Sequence, residues 1–187
     1  MHRIHIIGRK NSGKTTLVCD LIRHYRAQGL KVGSAKHTHH HHELDTPGKD
    51  SYRHRVAGAH AVGIVAPAMN AVFWPTAEPD EASETTERQR TYQQFDALLA
   101  DCDVVLVEGD QHTDATKVEV WREETQQRPL AETMPTIALV VTDDPLPGHE
   151  TQPRWDLAAL ADRILALPPG PDPAHAPAPA PEADPEG

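Results

Sequence analysis

At 187 residues the chain can form one α/β domain with a tail, and because aromatic residues make up only 4% of it, aliphatic side chains must fill most of the core. Its formal net charge of −10 argues against a general nucleic-acid-binding protein or a membrane-surface protein. The sequence has neither a secretory leader pattern nor an apolar run of membrane-spanning length, so we expect a cytoplasmic protein with no nucleic-acid or membrane partner.

The first predicted strand, residues 2–7, leads directly into a phosphate-loop sequence. Residues 8–15 fit the pattern G-x-x-x-x-G-K-[ST] at every defined position, and helical spacing of apolar residues follows over residues 13–28. The two glycines permit a tight turn that points successive backbone N–H groups at a phosphate, and the helix N-terminus adds positive potential. Lys14 would then neutralise the β- and γ-phosphates, and the Thr15 hydroxyl would ligate Mg²⁺.

A second short strand is predicted over residues 30–35, and a histidine-rich run follows it. The strand–helix–strand order predicts a right-handed crossover and a parallel pair of strands. Residues 37–42 contain five histidines and precede the carboxylate of Glu43. Alternate imidazoles of an extended chain share one face and could bind a transition metal. A polar loop at the carboxyl edge of the sheet explains the run without a dedicated metal, and we favour this second interpretation.

A turn and a short helix over residues 51–59 carry the densest group of cations in the chain. Asp50 or Ser51 is expected to cap this helix. Lys49, Arg53 and Arg55 could clamp an anionic ligand or an acidic partner surface. A solvated helix face explains these cations equally well.

Two apolar runs, residues 61–66 and 71–74, predict a β-hairpin that adds antiparallel strands to an otherwise parallel sheet. A helix is predicted next, over residues 86–100. Its inward-facing side chains are expected to be Tyr92, Phe95, Leu98 and Leu99.

Four aliphatic residues that end in Glu108 and Gly109 resemble the second acidic motif of phosphate-loop nucleotidases. A buried parallel strand would bring Glu108 to the same edge of the sheet as the phosphate loop. There its carboxylate could hold Mg²⁺ or orient an attacking water. Lys14 and Glu108 are therefore the candidate catalytic residues, and Thr15 and Glu108 are the candidate Mg²⁺ ligands.

A further strand is predicted over residues 116–122, where Val118 and Val120 share one face. Lys117 and Arg122 are expected to be surface charges. The next strand, residues 136–141, is predicted to be buried.

Two carboxylates, Asp143 and Asp144, follow that buried strand. A carboxylate at this edge could accept hydrogen bonds from the N1 and N2 groups of guanine, a pattern that adenine does not present. A simple aspartate turn before Pro145 is the alternative. We favour guanine recognition and select Asp143, although the sequence does not separate the two residues.

A closing helix over residues 155–167 completes the predicted domain, residues 1–167. Residues 168–187 form a tail rich in proline, alanine and acidic residues, which we expect to be disordered. The predicted fold class is therefore α/β, a three-layer P-loop NTPase fold with a mostly parallel sheet and an added antiparallel hairpin.

Taken together, these segments resemble the molybdopterin-guanine dinucleotide biosynthesis protein B family over most of residues 1–167. The stretch from Pro47 to Arg55 is the most specific part of the resemblance, because many unrelated proteins share the phosphate loop. The other residues that carry it are the loop itself, Lys36 through His40, Ala57-Gly58-Ala59, Val107-Glu108-Gly109, Lys117, Glu119 and Val120.

The resemblance implies a GTP-binding accessory protein, typically a homodimer and at most a weak GTPase. It would assist the molybdenum cofactor guanylyltransferase (MobA-like) that attaches GMP to molybdopterin, and direct binding of molybdopterin is left open. The implied cofactors are GTP and Mg²⁺. The phosphate contacts that carry over are Gly8, Asn11, Ser12, Gly13, Lys14, Thr15 and Thr16. The candidates for partner or anion contacts are His37, Lys49, Asp50, Arg53 and His54.

The chain departs from the family pattern after Gly109, where the family usually continues Phe-Lys-His and this chain has Asp110-Gln111-His112. This chain therefore has Gln111 in place of a cation at the second of these positions. The sequence shows no arginine finger and no catalytic glutamine, which fits slow hydrolysis. Two alternative functions stay open: a metal-delivery GTPase that uses the histidine run, and a small-molecule kinase that uses the same phosphate cradle.

Overall fold

A computed structural model describes residues 2–38, 43–74, 84–113 and 115–169 of the chain. Contacts divide the chain into two compact units, Met1–Thr38 with Tyr92–Gly187, and His39–Thr91. The predicted single domain over residues 1–167 stays a prediction, and the predicted tail lies outside the described residues from position 170 onward. In the described part of the chain, no helix combines the length and the apolar composition needed to cross a bilayer.

The described residues contain eight strands and four α-helices. The strands are β1 (His2–Ile7), β2 (Val32–Lys36), β3 (Val62–Ile64), β4 (Ala71–Phe73), β5 (Val104–Glu108), β6 (Lys117–Val120), β7 (Ile137–Val141) and β8 (Thr151–Gln152). The helices are α1 (Lys14–Ala27), α2 (Asp50–Val56), α3 (Glu84–Leu99) and α4 (Leu157–Leu165). Two short 3₁₀ turns, Glu123–Thr125 and Leu130–Glu132, lie between β6 and β7.

Six of the strands form one sheet in the order β2-β5-β1-β6-β7-β8, with every neighbouring pair parallel. This arrangement confirms the predicted α/β fold with a mostly parallel sheet. Because β1 lies between β5 and β6, the loop that follows β1 leaves the sheet near the middle of its carboxyl edge. The ends of β5 and β7, with Glu108 and Asp143, reach the same edge on opposite sides of that loop.

Helices cover both faces of this sheet, which gives three layers. On one face, α1 and α4 form a continuous apolar cluster with the sheet. The cluster includes Ile4, Ile6, Leu17, Leu21, Tyr25, Val104, Leu106, Leu160 and Ile164. On the other face, Tyr92 of α3 packs against Val105 and Val107. Successive residues of β5 thus alternate between the two clusters, as strand geometry requires.

The inward face of α3 differs from the prediction at one position. Leu99 packs against the sheet, but Leu98 is 61% exposed. Residues seven apart, such as Tyr92 and Leu99, lie almost above one another on a helix, whereas neighbours are turned by about 100°. Leu98 therefore cannot share the buried face with Leu99, and its predicted inward orientation is wrong.

The prediction for β6 is wrong at Lys117, which is 1% exposed rather than a surface charge. All four residues of β6 are buried, so both faces of this strand are covered, as is usual for a parallel strand in the middle of a sheet. The Lys117 ammonium donates to the Thr136 hydroxyl at 3.1 Å. The buried Glu119 carboxylate accepts the N–H groups of Leu130 and Ala131 at 2.7 and 2.9 Å, which ties β6 to the second 3₁₀ turn.

The face of β1 beneath α3 is polar. His5 and Asp110 are both buried there, and the Tyr92 ring meets the His5 imidazole edge-on at a centroid distance of 5.7 Å. The Tyr92 hydroxyl donates to Asp110 Oδ2 at 2.6 Å. Burial lowers the pKa of His5 to about 4; the Asp110 carboxylate opposes this shift, and Arg3 and Lys117 add to it.

We expect this histidine to make the protein less stable in mild acid. Between pH 6.5 and about 4 the unfolded chain holds a proton on His5 that the folded chain does not, so stability falls as the pH falls. The contribution is about 3 kcal/mol across that window. Denaturant unfolding at several pH values checks it. The His5→Gln variant should show a shallower pH dependence, and His60→Gln, which removes an exposed histidine, should keep the wild-type one.

The second unit contains α2 and a hairpin. Strands β3 and β4 pair antiparallel, with Val62 opposite Phe73, and this confirms the predicted antiparallel pair. The pair forms a two-stranded sheet of its own and does not extend the parallel sheet in the described part of the chain. Helix α2 begins one residue earlier than predicted, and Lys49 occupies its N-cap without a side-chain cap. Asp50 and Ser51 are therefore helical residues, and the predicted cap is wrong.

Candidate functional site

The phosphate loop connects β1 to α1 through three residues with positive φ angles. These are Gly8 at 142°, Asn11 at 65° and Gly13 at 94°. A Cβ atom on Gly8 would lie 2.4 Å from the Val120 carbonyl oxygen, which is too close for any side chain. Gly13 occupies the N-cap of α1, so the free N–H groups of the first helical turn begin at Lys14. The predicted strand–loop–helix context is therefore present.

Two polar groups of the loop suit an anionic ligand. The Ser12 hydroxyl is buried and has no hydrogen-bond partner among the described residues. The Lys14 ammonium donates to the Arg9 carbonyl at 2.7 Å, which leaves it further N–H donors. Burial lowers the pKa of Lys14, the Glu108 carboxylate opposes the shift and Lys36 adds to it. The loop thus holds a partly desolvated cation beside an unsatisfied hydroxyl.

The two predicted Mg²⁺ ligands are in contact. The Thr15 hydroxyl donates to Glu108 Oε1 at 2.8 Å, and Lys36 Nζ lies 3.7 Å from the same oxygen. Parallel pairing of β5 with β1 produces this contact, because Ile6 is the register partner of Glu108. A hydroxyl and a carboxylate at this separation supply the oxygen ligands that Mg²⁺ prefers. The pair fits a magnesium site.

The main chain of His37 contacts the end of β5 beside this pair. Its N–H donates to the Glu108 carbonyl at 2.8 Å, and a Cβ atom on Gly109 would lie 2.7 Å from the His37 carbonyl oxygen. The rest of the histidine run, His39 to His42, lies outside the described residues. Elsewhere, within the described ranges, no group of three or more histidine, cysteine, aspartate or glutamate side chains could hold a metal ion.

A cavity of about 300 Å³ opens at the carboxyl ends of β6, β7 and β8. Its polar lining comes from Arg122, Glu124, Thr142, Asp143, Asp144 and Arg154. Asp143 Oδ1 accepts the Arg154 N–H at 2.7 Å, and Asp144 Oδ2 accepts the Glu123 N–H at 2.9 Å. The predicted guanine-recognising carboxylate therefore lies at the wall of a cavity on the β7 side of the loop.

Arg154 is a site residue that the sequence did not reveal. Its Nη1 donates to the Gly13 carbonyl at 3.4 Å, and its Nη2 lies 3.3 Å from Asp20 Oδ2 of α1. The strand before it, β8, has only two residues, which is too short to produce a hydrophobic pattern. Arg122 was expected at the surface, and its side chain is 40% exposed. It also reaches the loop, since its Nη2 lies 3.2 Å from the position that a Cβ atom on Gly13 would take.

Four of the predicted contact residues, Lys49, Asp50, Arg53 and His54, belong to the second unit and are exposed. Arg55 is held there by Glu43 at 2.6 Å. Asp45 is buried beside the helix start and accepts the Ser51 hydroxyl at 2.9 Å. The structure thus orders this segment through Glu43 and Asp45, and leaves the four predicted residues accessible.

A family model for molybdopterin guanine dinucleotide synthesis protein B matches residues 3–143. The molybdopterin-guanine dinucleotide biosynthesis adapter protein of Escherichia coli (strain K12) is 40% identical over 118 residues, which cover 63% of this chain and 64% of that protein. The adapter protein of Haemophilus influenzae is 35% identical over 141 residues, 75% of this chain and 74% of that protein. The match thus spans slightly less than two thirds of the E. coli protein.

Solved structures of MobB proteins superpose on this chain as well. The crystal structure of a molybdopterin-guanine biosynthesis protein B superposes with a TM-score of 0.64 at 25% identity, over 89% of this chain and 99% of that one. The MobB homologue from Bacillus stearothermophilus superposes with a TM-score of 0.61 at 22% identity, over 89% and 100% of the two chains. The second likeness supports the fold alone.

Proposed function

This chain belongs to the molybdopterin guanine dinucleotide synthesis protein B family, and from that membership we propose that it is a GTP-binding adapter in molybdenum cofactor biosynthesis. It assists the guanylyltransferase that attaches GMP to molybdopterin. The observation that carries the nucleotide-binding part is the contact of Thr15 with Glu108 directly beside the phosphate loop. Family membership does not favour the metal-delivery or kinase alternatives.

In this proposal the phosphate loop binds the triphosphate through main-chain N–H groups from Asn11 to Thr16. Lys14 supplies positive charge at the terminal phosphates, and the Ser12 hydroxyl gains the hydrogen-bond partner that it lacks among the described residues. Thr15 and Glu108 hold Mg²⁺, which when bound would neutralise part of the phosphate charge. Lys14 and Glu108 stay the candidate catalytic residues of a slow GTPase.

Asp143 recognises guanine in this proposal. It follows β7 at the wall of the cavity, on the side of the loop away from Glu108. Its Oδ1 is oriented by the Arg154 N–H, and its side chain is exposed toward solvent, whereas Asp144 is less exposed and binds the Glu123 N–H. These differences support Asp143 over Asp144.

We expect the protein to bind GTP more tightly than ATP by tenfold or more, because a carboxylate pairs with two guanine N–H groups that adenine lacks. Calorimetric titration of each nucleotide with Mg²⁺ into the untagged protein measures this preference. Asp143→Asn should weaken GTP binding about tenfold and favour xanthosine triphosphate, whose second carbonyl matches the amide N–H₂. Asp144→Asn is the matched control and should keep the wild-type preference.

Equal or tighter binding of ATP would contradict the proposal and bring the kinase alternative forward. Loss of the GTP preference in Asp144→Asn rather than in Asp143→Asn would keep the adapter function but move guanine recognition to Asp144.

The adapter action requires a partner that distinguishes two states of this chain. We propose that GTP and Mg²⁺ favour one arrangement of the segments after β2 and after Glu108, and that the guanylyltransferase binds this arrangement more tightly. The contacts to the partner or to an anion come from His37, Lys49, Asp50, Arg53 and His54.

The protein acts as a homodimer in the cytoplasm, with molybdopterin as a further candidate ligand. The outer edges of the β3–β4 hairpin, which pair with no other strand of the described residues, are the candidate dimer contact.

A further inference from the structure

Two guanidinium groups lie beside Gly13 on one side of the phosphate loop. A Cβ atom on Gly13 would lie 2.7 Å from Arg154 Nη1 and 3.2 Å from Arg122 Nη2. Both arginines line the 300 Å³ cavity. Arg122 follows β6 and Arg154 follows β8, whereas Glu108 ends β5, on the other side of β1. The arginines and the Thr15–Glu108 pair therefore approach the loop from opposite sides.

The two arginines differ in how firmly they are held. The Arg154 side chain is 16% exposed, donates to the Gly13 carbonyl and pairs with Asp20, and its main-chain N–H binds Asp143. Three contacts thus fix Arg154 between the loop, α1 and the end of β7. Arg122 pairs with Glu124 at 3.0 Å, and these side chains are 40% and 70% exposed.

An exposed ion pair such as Arg122–Glu124 contributes little to stability, because water screens it and two long side chains lose freedom to form it. A phosphate accepts two parallel N–H bonds from a guanidinium, as a carboxylate does, and the whole phosphate chain of a nucleotide carries more negative charge than one glutamate. Little free energy is therefore lost when Arg122 leaves Glu124 and binds a phosphate instead.

We propose that Arg122 binds a phosphate that GDP and GTP share, in exchange for Glu124, while Arg154 holds the loop and Asp143 in place. This inference rests on the proposed nucleotide site. Arg122 lies on the cavity side of the loop, where the base would enter, and the Thr15–Glu108 pair lies toward the terminal phosphate. A cation at an inner phosphate strengthens binding of GDP and GTP alike and gives no preference to hydrolysis.

The charges of the cavity agree with this orientation. The two guanidinium groups lie beside Gly13, and the two aspartates follow β7, where each accepts a main-chain N–H group. A nucleotide is likewise anionic at its phosphate end and presents N–H donors at its base end. The guanidinium groups beside Gly13 therefore suit the phosphate end of a nucleotide, and the carboxylates after β7 suit its base end.

Arg122→Ala is expected to weaken binding of GTP and of GDP by the same factor, about tenfold or more. Competition with a fluorescent GDP analogue measures both affinities in the full chain. Arg128→Ala is the matched control, because Arg128 is 88% exposed and pairs with Glu132 in the same connection. It should leave both affinities within about twofold of wild type.

Glu124→Ala should act in the opposite direction and tighten both nucleotides a few-fold, on the order of twofold to fivefold, because Arg122 no longer has a competing anion. This gain should vanish when Glu124→Ala is made in the Arg122→Ala background, since only coupling through Arg122 produces it.

Loss of GTP affinity without loss of GDP affinity in Arg122→Ala would place the contact at the terminal phosphate and overturn the inference. Unchanged affinities would overturn it as well, and the proposed function would stand as long as the wild-type protein binds GTP. A wild-type protein that binds neither nucleotide would instead overturn both. If Glu124→Ala still tightens nucleotide binding in the Arg122→Ala background, Arg122 does not exchange Glu124 for a phosphate.

Discussion

Lys14→Ala should weaken GTP binding by about a hundredfold or more while the chain stays folded. The phosphate-loop pattern assigns this ammonium to the terminal phosphates, where it brings a full positive charge and several N–H donors. Burial lowers the pKa of Lys14, so the charged lysine costs the folded state free energy and alanine removes that cost. Calorimetry for affinity and denaturant unfolding for stability separate the two effects.

Lys31→Ala is the control for this experiment, because it removes the same charge from an exposed residue before β2, at the opposite edge of the sheet. It should bind GTP within about twofold of wild type. If Lys14→Ala binds GTP as tightly as Lys31→Ala, the phosphate loop is not the nucleotide site. If Lys14→Ala is unfolded, its loss of binding says nothing about phosphate contacts, and Lys14→Met, which keeps the apolar stem, replaces it.

Gly8→Ala should damage both stability and binding. Its Cβ atom would lie 2.4 Å from the Val120 carbonyl oxygen and 2.9 Å from Ser12 Oγ, and its φ of 142° is unfavourable for a side chain. The oxygen belongs to the main chain of β6, in the middle of the sheet, so it cannot move away cheaply. We expect a loss of about 3 kcal/mol or more in the free energy of unfolding, together with loss of nucleotide binding.

Gly29→Ala is the control that separates the effect of the steric clash on stability from the effect of the positive φ angle. Gly29 also has a positive φ, 86°, but nothing lies within 4 Å of the position that its Cβ atom would take. Alanine there should cost only about 1 kcal/mol and leave GTP binding unchanged. Equal losses of stability in the two variants would show that the contact with Val120 does not restrict Gly8.

The sequence predicted those parts of the site that depend on local pattern. The loop from Gly8 to Thr15 has a backbone dictated by its own glycines and by the helix that follows, so its residues identify it directly. Glu108 was found because an aliphatic run before a carboxylate indicates a buried parallel strand. The fold class followed from alternating strand and helix patterns, and from the resemblance that the same residues carry.

Two of the errors, at Lys117 and at the hairpin, concern contacts between distant segments. Lys117 was expected at the surface because the alternation within β6 does not show that both faces of this strand are buried. Leu98 was expected to face inward because it is apolar, although of the two adjacent leucines Leu99 is the one that shares the face of Tyr92. The hairpin was expected to extend the sheet, and its own residues do not show that its two strands pair only with each other in the described part of the chain.

The sequence by itself determined the phosphate loop, the strand that ends in Glu108 and the α/β class, because these depend on residues adjacent along the chain. The tertiary structure decided that Thr15 meets Glu108 and that Arg122 and Arg154 flank Gly13. These groups come from segments that are far apart in the sequence, and the strand order β5-β1-β6-β7-β8 brings them to one edge of the sheet. Pairing between distant strands is set by the packing of the whole sheet, which no single segment encodes.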